Sequence, residues 1–225
     1  MTLGLYVHIP FCRHKCLYCD FPSYAGLERY CQGYVEALCR DIAASPYAGE
    51  GADTVYVGGG TPSMLEAGDM GRILKTLRQT FCMASDAEIT IEANPDSLDY
   101  DKAAALADCG VNRLSLGIQS FSDAMLAFLG RVHTAAQGEA AIQAAYAAGI
   151  HNLSLDLMYG LPGQRLADVR RDVERLSQLP VVHASIYSLI VEDGTQLKAG
   201  LEKGTWHLPP DGTVEAMGKA VHDAM

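Results

Sequence analysis

The sequence has no basic stripe. Its 17 lysines and arginines are set against 27 aspartates and glutamates, a formal charge of −10 over 225 residues. A nucleic-acid backbone is therefore a poor partner, because binding it needs clustered cations. No apolar stretch reaches the roughly 18 residues of a membrane span, so membrane association is not indicated. The amino terminus, MTLGLYVHIPF, lacks a charged leader region and a cleavage site, which argues against a secretion signal. Seven cysteines make an odd count, and three of them cluster, which suits a reducing cytoplasm better than a disulfide framework. Tandem repeats, low-complexity tracts and interdomain linkers are missing too. What remains is ordinary globular composition, 49% hydrophobic and 20% charged, in a length that suits one large domain.

Six strand-like runs alternate with six helix-like runs. The strands are LGLYVHI, DTVYVGG, AEITIEAN, NRLSLGIQ, NLSLDLMYG and HASIYSLI. The first helix is marked by Leu27, Tyr30, Cys31, Tyr34, Val35, Leu38 and Ile42 at helical spacing. Ser63 with Glu66, and Thr134 with Gln137, have the spacing of helix-opening capping boxes. Regular β–α alternation implies a parallel sheet with right-handed crossovers.

The strands alternate in polarity, although a parallel strand covered on both faces should be almost wholly apolar. Ile89, Ile91 and Ala93 oppose Thr90, Glu92 and Asn94; Leu114, Leu116 and Ile118 oppose Ser115, Gly117 and Gln119; Leu153, Leu155 and Leu157 oppose Ser154 and Asp156. One geometry accounts for this. The apolar faces pack on an outer ring of helices, and the polar faces line the concave side of an open, partial (β/α)6 barrel with a polar lumen. The candidate chemical residues then fall at or past the carboxyl ends of strands, where such barrels build their sites.

Cys12, Cys16 and Cys19 form a CxxxCxxC cluster after the first strand. Three thiolates can hold a 4Fe–4S cube with one iron left open to a small ligand. Zinc is the competing reading, and it needs a fourth ligand such as His8, His14 or Cys31. Cys31, Cys39, Cys82 and Cys109 read as buried thiols. The turn Gly58–Gly59–Gly60–Thr61 lacks both the P-loop lysine and the dinucleotide register. It reads as a tight turn that also permits close approach of a ligand. Glu92, Gln119 and Asp156 suit amines, hydroxyls or an adenine edge. Arg131 reads either as a carboxylate partner or as a solvated surface residue.

The motifs YVHIPFCRHKCLYCDF, GGGTPS, IEANPDS, GVNRLSLGIQSF, LGRVHT and LDLMYGLPGQ, in this order over about residues 3–200, resemble the radical S-adenosylmethionine proteins of the oxygen-independent coproporphyrinogen III oxidase family. Cys19 is followed by Asp20 and Phe21 rather than a further cysteine, and the lead into strand one is short. Both features are similar to the heme-chaperone (HemW) branch.

The resemblance implies a 4Fe–4S cluster on Cys12, Cys16 and Cys19 and S-adenosylmethionine on its open iron. It implies cofactor contacts at Tyr6, Tyr18, Gly59, Gly60, Thr61, Glu92, Gln119, Arg131, Asp156 and Ile190. Reductive cleavage of the cofactor would then give a 5′-deoxyadenosyl radical. Implied partners are heme or porphyrin, an electron donor such as flavodoxin or ferredoxin, and a heme-acceptor protein. Decarboxylation of coproporphyrinogen and non-catalytic tetrapyrrole carriage are the alternatives. The expected organisation is a partial-barrel domain over residues 1–200 and the start of a shortened C-terminal region over 201–225. His207 and His222 do not match the branch's heme motif and are assigned no ligand role.

Overall fold

The computed structural model describes residues 2–225. Strand β1 (Leu3–Ile9) is followed by the two-residue strands β2 (Phe11–Cys12) and β3 (Tyr24–Ala25), and then by β4 (Gly51–Gly59), β5 (Cys82–Ala93), β6 (Arg113–Gln119), β7 (Asn152–Tyr159) and β8 (His183–Ser188). Helices α1 (Cys31–Ala43), α2 (Ala67–Thr80), α3 (Tyr100–Asp108), α4 (Asp123–Leu129), α5 (Ala135–Ala147), α6 (Leu166–Leu176), α7 (Gln196–Glu202) and α8 (Asp211–Ala224) fill the connections and the end of the chain. Six strands form one parallel sheet in the order β1-β4-β5-β6-β7-β8, with no pairing recorded between β8 and β1 among the described residues. This is the open α/β barrel expected from the alternation.

The apolar strand faces supply the core. Val7, Ile9, Val57, Ile91, Leu114, Leu116, Ile118, Leu153 and Leu155 join Val35, Ile73, Leu74, Leu106 and Ile142 from the helices in one buried cluster. On α8, Met217 is fully buried with Val169 and Val173 of α6, so this helix packs in the outer layer.

Several local expectations change. Strand β5 begins five residues before the expected Ala87, because Cys82 and Met83 pair with Gly51 and Ala52 before a bulge shifts the register to Thr54 and Glu88. The polar run in that bulge reads as a loop in the sequence. Two helices, α4 and α5, occupy the β6–β7 crossover, and there are eight α-helices among the described residues rather than six. Tyr30 is exposed, outside the stripe that buries Val35. Cys82 is exposed rather than buried, whereas Cys31, Cys39 and Cys109 pack against the core.

The Thr134–Gln137 capping box forms as its spacing requires. The Ser63–Glu66 box does not. Ser63 instead pairs its hydroxyl with Ser97 (2.6 Å) and accepts the Asn94 amide (3.1 Å), and Glu66 itself is the N-cap position of α2. Tertiary partners outcompete the local cap.

Candidate functional site

Register turns the polar alternation into rows. Tyr6 pairs with Tyr56, Tyr56 with Thr90, Thr90 with Arg113, and Arg113 with Asn152. One level higher, Glu92 pairs with Ser115, Ser115 with Ser154, and Ser154 with His183. Asp156 pairs with Ser185 above that. Parallel pairing of like faces thus collects side chains from six strands on one concave surface.

Above the rows lies a cleft of about 130 Å³. Its lining includes Cys12, Cys16 and Cys19 from the loop after β1, together with Glu92, Gln119, Asp156 and Arg131. Sequence-distant thiols, carboxylates and a guanidinium share one space.

The cysteine loop is held from several sides. His8 Nε2 donates to the Pro22 carbonyl (2.9 Å), which leaves Nδ1 to accept from the Tyr6 hydroxyl (2.9 Å). The Lys15 ammonium donates to the carbonyls of Phe21 (2.6 Å) and Ser23 (3.1 Å). Leu17, between Cys16 and Cys19, donates its amide to Leu129 (3.1 Å) and accepts the Leu197 amide (2.9 Å). Thr61 donates its amide to the Phe11 carbonyl (2.7 Å), and its hydroxyl lies 3.6 Å from the Cys12 sulfur. A Cβ on Gly60 would stand 2.5 Å from the Phe11 oxygen and 3.0 Å from the Cys12 sulfur. The glycine turn therefore permits close approach of the protein's own cysteine loop.

Arg131 lies in the connection between α4 and α5, and its side chain returns to the cleft. It donates to Asn94 Oδ1 (2.6 Å), the Gly117 carbonyl (2.6 Å) and the Cys16 sulfur (3.5 Å). The solvated-surface reading is corrected. Its Nε–H is buried and finds no acceptor among the described residues. Gly117 makes this convergence possible. A Cβ there would lie 3.1 Å from Gln119 Nε2, 3.2 Å from Arg131 Nη2 and 3.2 Å from Asn94 Oδ1. Gly117→Ala is expected to fold, since its φ is not left-handed, yet to weaken binding of the S-adenosylmethionine that the sequence resemblance implies about 10-fold or more, by displacing three polar groups. Equilibrium dialysis against unfolding curves separates the two effects, and unchanged binding would refute it.

Two carboxylates share the cleft. Glu92 accepts the Tyr56 hydroxyl (2.7 Å) and the Gly59 amide (3.0 Å). Burial, with the Glu92 charge nearby, pushes Asp156 up to about 6 from 3.8. A raised carboxyl pKa means the native state binds the proton more tightly than the unfolded chain. The cost of ionisation is therefore absent below about pH 4 and complete above about pH 6. Asp156→Asn should stabilise the apoprotein by roughly 1–3 kcal/mol at pH 8, the gain fading towards pH 4. Denaturant unfolding across that range measures it, and a pH-independent difference would count against the buried carboxylate.

Gln119 has φ +67°, the one non-glycine residue with positive φ among the described residues. Ser120 donates its amide to the Ile118 carbonyl (2.9 Å), closing a γ-type turn around it. A non-glycine residue in this region costs on the order of 1–3 kcal/mol. The Gln119 amide oxygen accepts the Tyr187 hydroxyl (3.0 Å).

Of the residues singled out in the sequence, Cys12, Cys16, Tyr18, Cys19, Gly59, Gly60, Thr61, Glu92, Gln119, Arg131 and Asp156 line this cleft. Tyr6 and Ile190 lie outside that lining and are largely exposed. Tyr6 stacks on Tyr56 at 6.2 Å between ring centroids. Asp156 and Tyr6 sit within their strands, below the carboxyl ends. Sequence reasoning passed over Tyr56, Tyr187 and Lys15. Extending the alternation to β4 and β8 places the two tyrosines on the lumen face, whereas Lys15 carried no signal of its own.

A family model described as the radical SAM superfamily matches residues 6–176. The chain is 38% identical over 206 residues to the heme chaperone HemW of Lactococcus lactis, covering 92% of this chain and 54% of that protein. It is 39% identical over 198 residues to HemW of Escherichia coli, covering 86% and 52%. It thus spans about half the length of these relatives. Among solved structures, coproporphyrinogen III oxidase (HemN) from Escherichia coli, described as a radical SAM enzyme, superposes with a TM-score of 0.87 at 28% identity, over 97% of this chain and 51% of that one. With its matched segment embracing the cysteine loop and the polar lumen alike, the chain belongs to the radical SAM superfamily.

Proposed function

We propose that this chain is the cofactor-binding portion of a heme chaperone. In this reading Cys12, Cys16 and Cys19 hold a 4Fe–4S cluster, the lumen seats S-adenosylmethionine, and heme is the cargo passed to an acceptor protein. The observation that carries it is the meeting of three loop thiols with Glu92, Asp156, Gln119 and Arg131 in one cleft. In this reading residues 1–200 make up the cofactor-binding unit, and α8 of the 201–225 segment packs against α6 in its outer layer. Free thiols throughout suit a reducing cytoplasm.

The residues present fit the cofactors. Cys12, Cys16 and Cys19 are the cysteines that line the cleft, and a cube meets three thiolates at separate corners, whereas tetrahedral zinc calls for a fourth ligand. His8, a candidate fourth zinc ligand, has both ring nitrogens engaged. The unpaired Arg131 Nε–H suits an anionic group, and the two carboxylates suit cationic ones. An amino acid carrying a sulfonium offers both.

When bound, the reduced cluster and S-adenosylmethionine supply one-electron cleavage of the sulfonium bond. The protein's own part is positional. Glu92, fixed by Tyr56 and the Gly59 amide, presents a fixed negative charge. Arg131 spans the Cys16 sulfur, Asn94 and Gly117, tying the cluster loop to β5 and β6. Tyr56 and Tyr187 remain phenols, since burial raises both pKa values, Tyr187 to about 12. Both therefore act as hydrogen-bond donors.

Anaerobic reconstitution tests this reading. About four irons and four sulfides per chain are expected, with S-adenosylmethionine binding and saturable uptake of heme. Stoichiometric zinc in the protein as purified would refute it. Vinyl product from coproporphyrinogen would assign an oxidase instead, and heme uptake without S-adenosylmethionine binding would leave only a carrier.

A further inference from the structure

The carboxyl ends of β4 and β7 turn on glycines with positive φ, Gly59 at +114° and Gly160 at +78°. At the end of β6 the same task falls to Gln119, at +67°. A glutamine there is strained where glycine would be free. Something must hold the turn, and keeping an amide in the lumen is what the strain secures.

The hold comes from Asp172. Ser120 is fully buried and donates its hydroxyl to Asp172 Oδ2 (2.7 Å), while the Phe121 amide donates to Asp172 Oδ1 (2.9 Å). The Ser122 amide donates back to the Ser120 oxygen (3.1 Å). Two consecutive residues after Gln119 are thus fixed to one carboxylate, and the third is tied to the first. Asp172 sits on α6, anchored by buried Val169, Val173 and Leu176 on the same helix. It does not line the lumen. It lines a separate outer cavity of about 450 Å³ with Phe121 and Ser122.

We propose that Asp172 is a positioning residue that acts through the 120–122 turn to keep the Gln119 amide aimed into the lumen. Its bearing on S-adenosylmethionine rests on the functional reading above. Both carboxylate oxygens accept, so alanine removes both contacts, whereas asparagine could keep the Phe121 contact and reverse the Ser120 one, its amide donating to the hydroxyl oxygen. Releasing the turn lets Gln119 relax towards the extended backbone of an ordinary strand end. Its bond to Tyr187 then breaks, and the side chain leaves its place beside Gly117.

The test uses the whole 225-residue chain in two arms. In apoprotein labelled with nitrogen-15 in glutamine, the Gln119 side-chain amide resonance is identified by its loss in Gln119→Ala. Asp172→Ala and the milder Ser120→Ala should shift or broaden that resonance, and Asp168→Asn, one turn earlier on α6, should not. An unmoved resonance in folded Asp172→Ala and Ser120→Ala overturns the proposal whatever the lumen binds.

In reconstituted protein, Asp172→Ala should weaken S-adenosylmethionine binding about 10-fold, as should Gln119→Ala, and the double variant should be no worse than Gln119→Ala alone. A merely structural aspartate would instead weaken binding equally in both backgrounds, which also overturns the proposal. Wild-type protein that fails to bind S-adenosylmethionine contradicts the functional reading alone, and the resonance arm still decides the role of Asp172.

Discussion

Alanine at Cys12, Cys16 or Cys19 is expected to abolish cluster assembly. Iron after anaerobic reconstitution should fall from about four per chain to the background of the triple variant, with loss of the visible absorption. The reason is coordinative. A cube held by three protein thiolates already has one corner open, and removing a second protein ligand leaves an edge exposed to exchange. Alanine at Cys31, Cys39, Cys82 or Cys109 should leave the iron content unchanged, because none of these lines the cleft. The apoprotein fold should survive in the cluster variants, since the sheet core is built from aliphatic side chains on the opposite strand faces. Iron retained in any single variant of the three would sink the assignment.

Arg131→Met should be costly in two ways. Methionine replaces the stem but leaves the Gly117 carbonyl and Asn94 Oδ1 without their guanidinium donor. Buried acceptors left unpaired cost roughly 1–3 kcal/mol each, so unfolding free energy of the apoprotein should drop by roughly 2–6 kcal/mol. Removing the donor to the Cys16 sulfur should also lower the reduction potential of the cluster, because less positive charge then faces the added electron. Arg131→Lys should recover part of the potential but not the paired contacts, since an ammonium cannot reproduce the fork. Denaturant titration and redox potentiometry read the two effects separately. Wild-type values in both would mean that Arg131 is a bystander.

Much of this arrangement is legible along the chain. The alternation in AEITIEAN, NRLSLGIQ and NLSLDLMYG already separates a helix-facing side from a lumen side. The burial of Leu114, Leu116 and Ile118, opposite Ser115, Gly117 and Gln119, follows it. The Thr134–Gln137 box is local, and it forms. Where competing partners arrive from elsewhere, local signals fail. Ser63 is spent on Ser97 and Asn94 across the fold. The exposure of Cys82 follows from its place at the start of β5, below a bulge that no periodicity announces. Asp172 carries no motif, because its two contacts come from residues about fifty positions away.

By itself the sequence determined which residues share a strand face, that the strands run parallel, and that three thiols stand together in one loop. These depend on spacing along the chain, on periods of two and of about three and a half residues. Only the tertiary structure decided the rest. Register between strands brought Glu92, Ser115 and Ser154 level, the α4–α5 connection returned Arg131 to the Cys16 sulfur, and α6 set Asp172 behind Gln119. Such contacts are made when the core closes, and their energy lies in which distant groups that closure leaves within hydrogen-bonding reach.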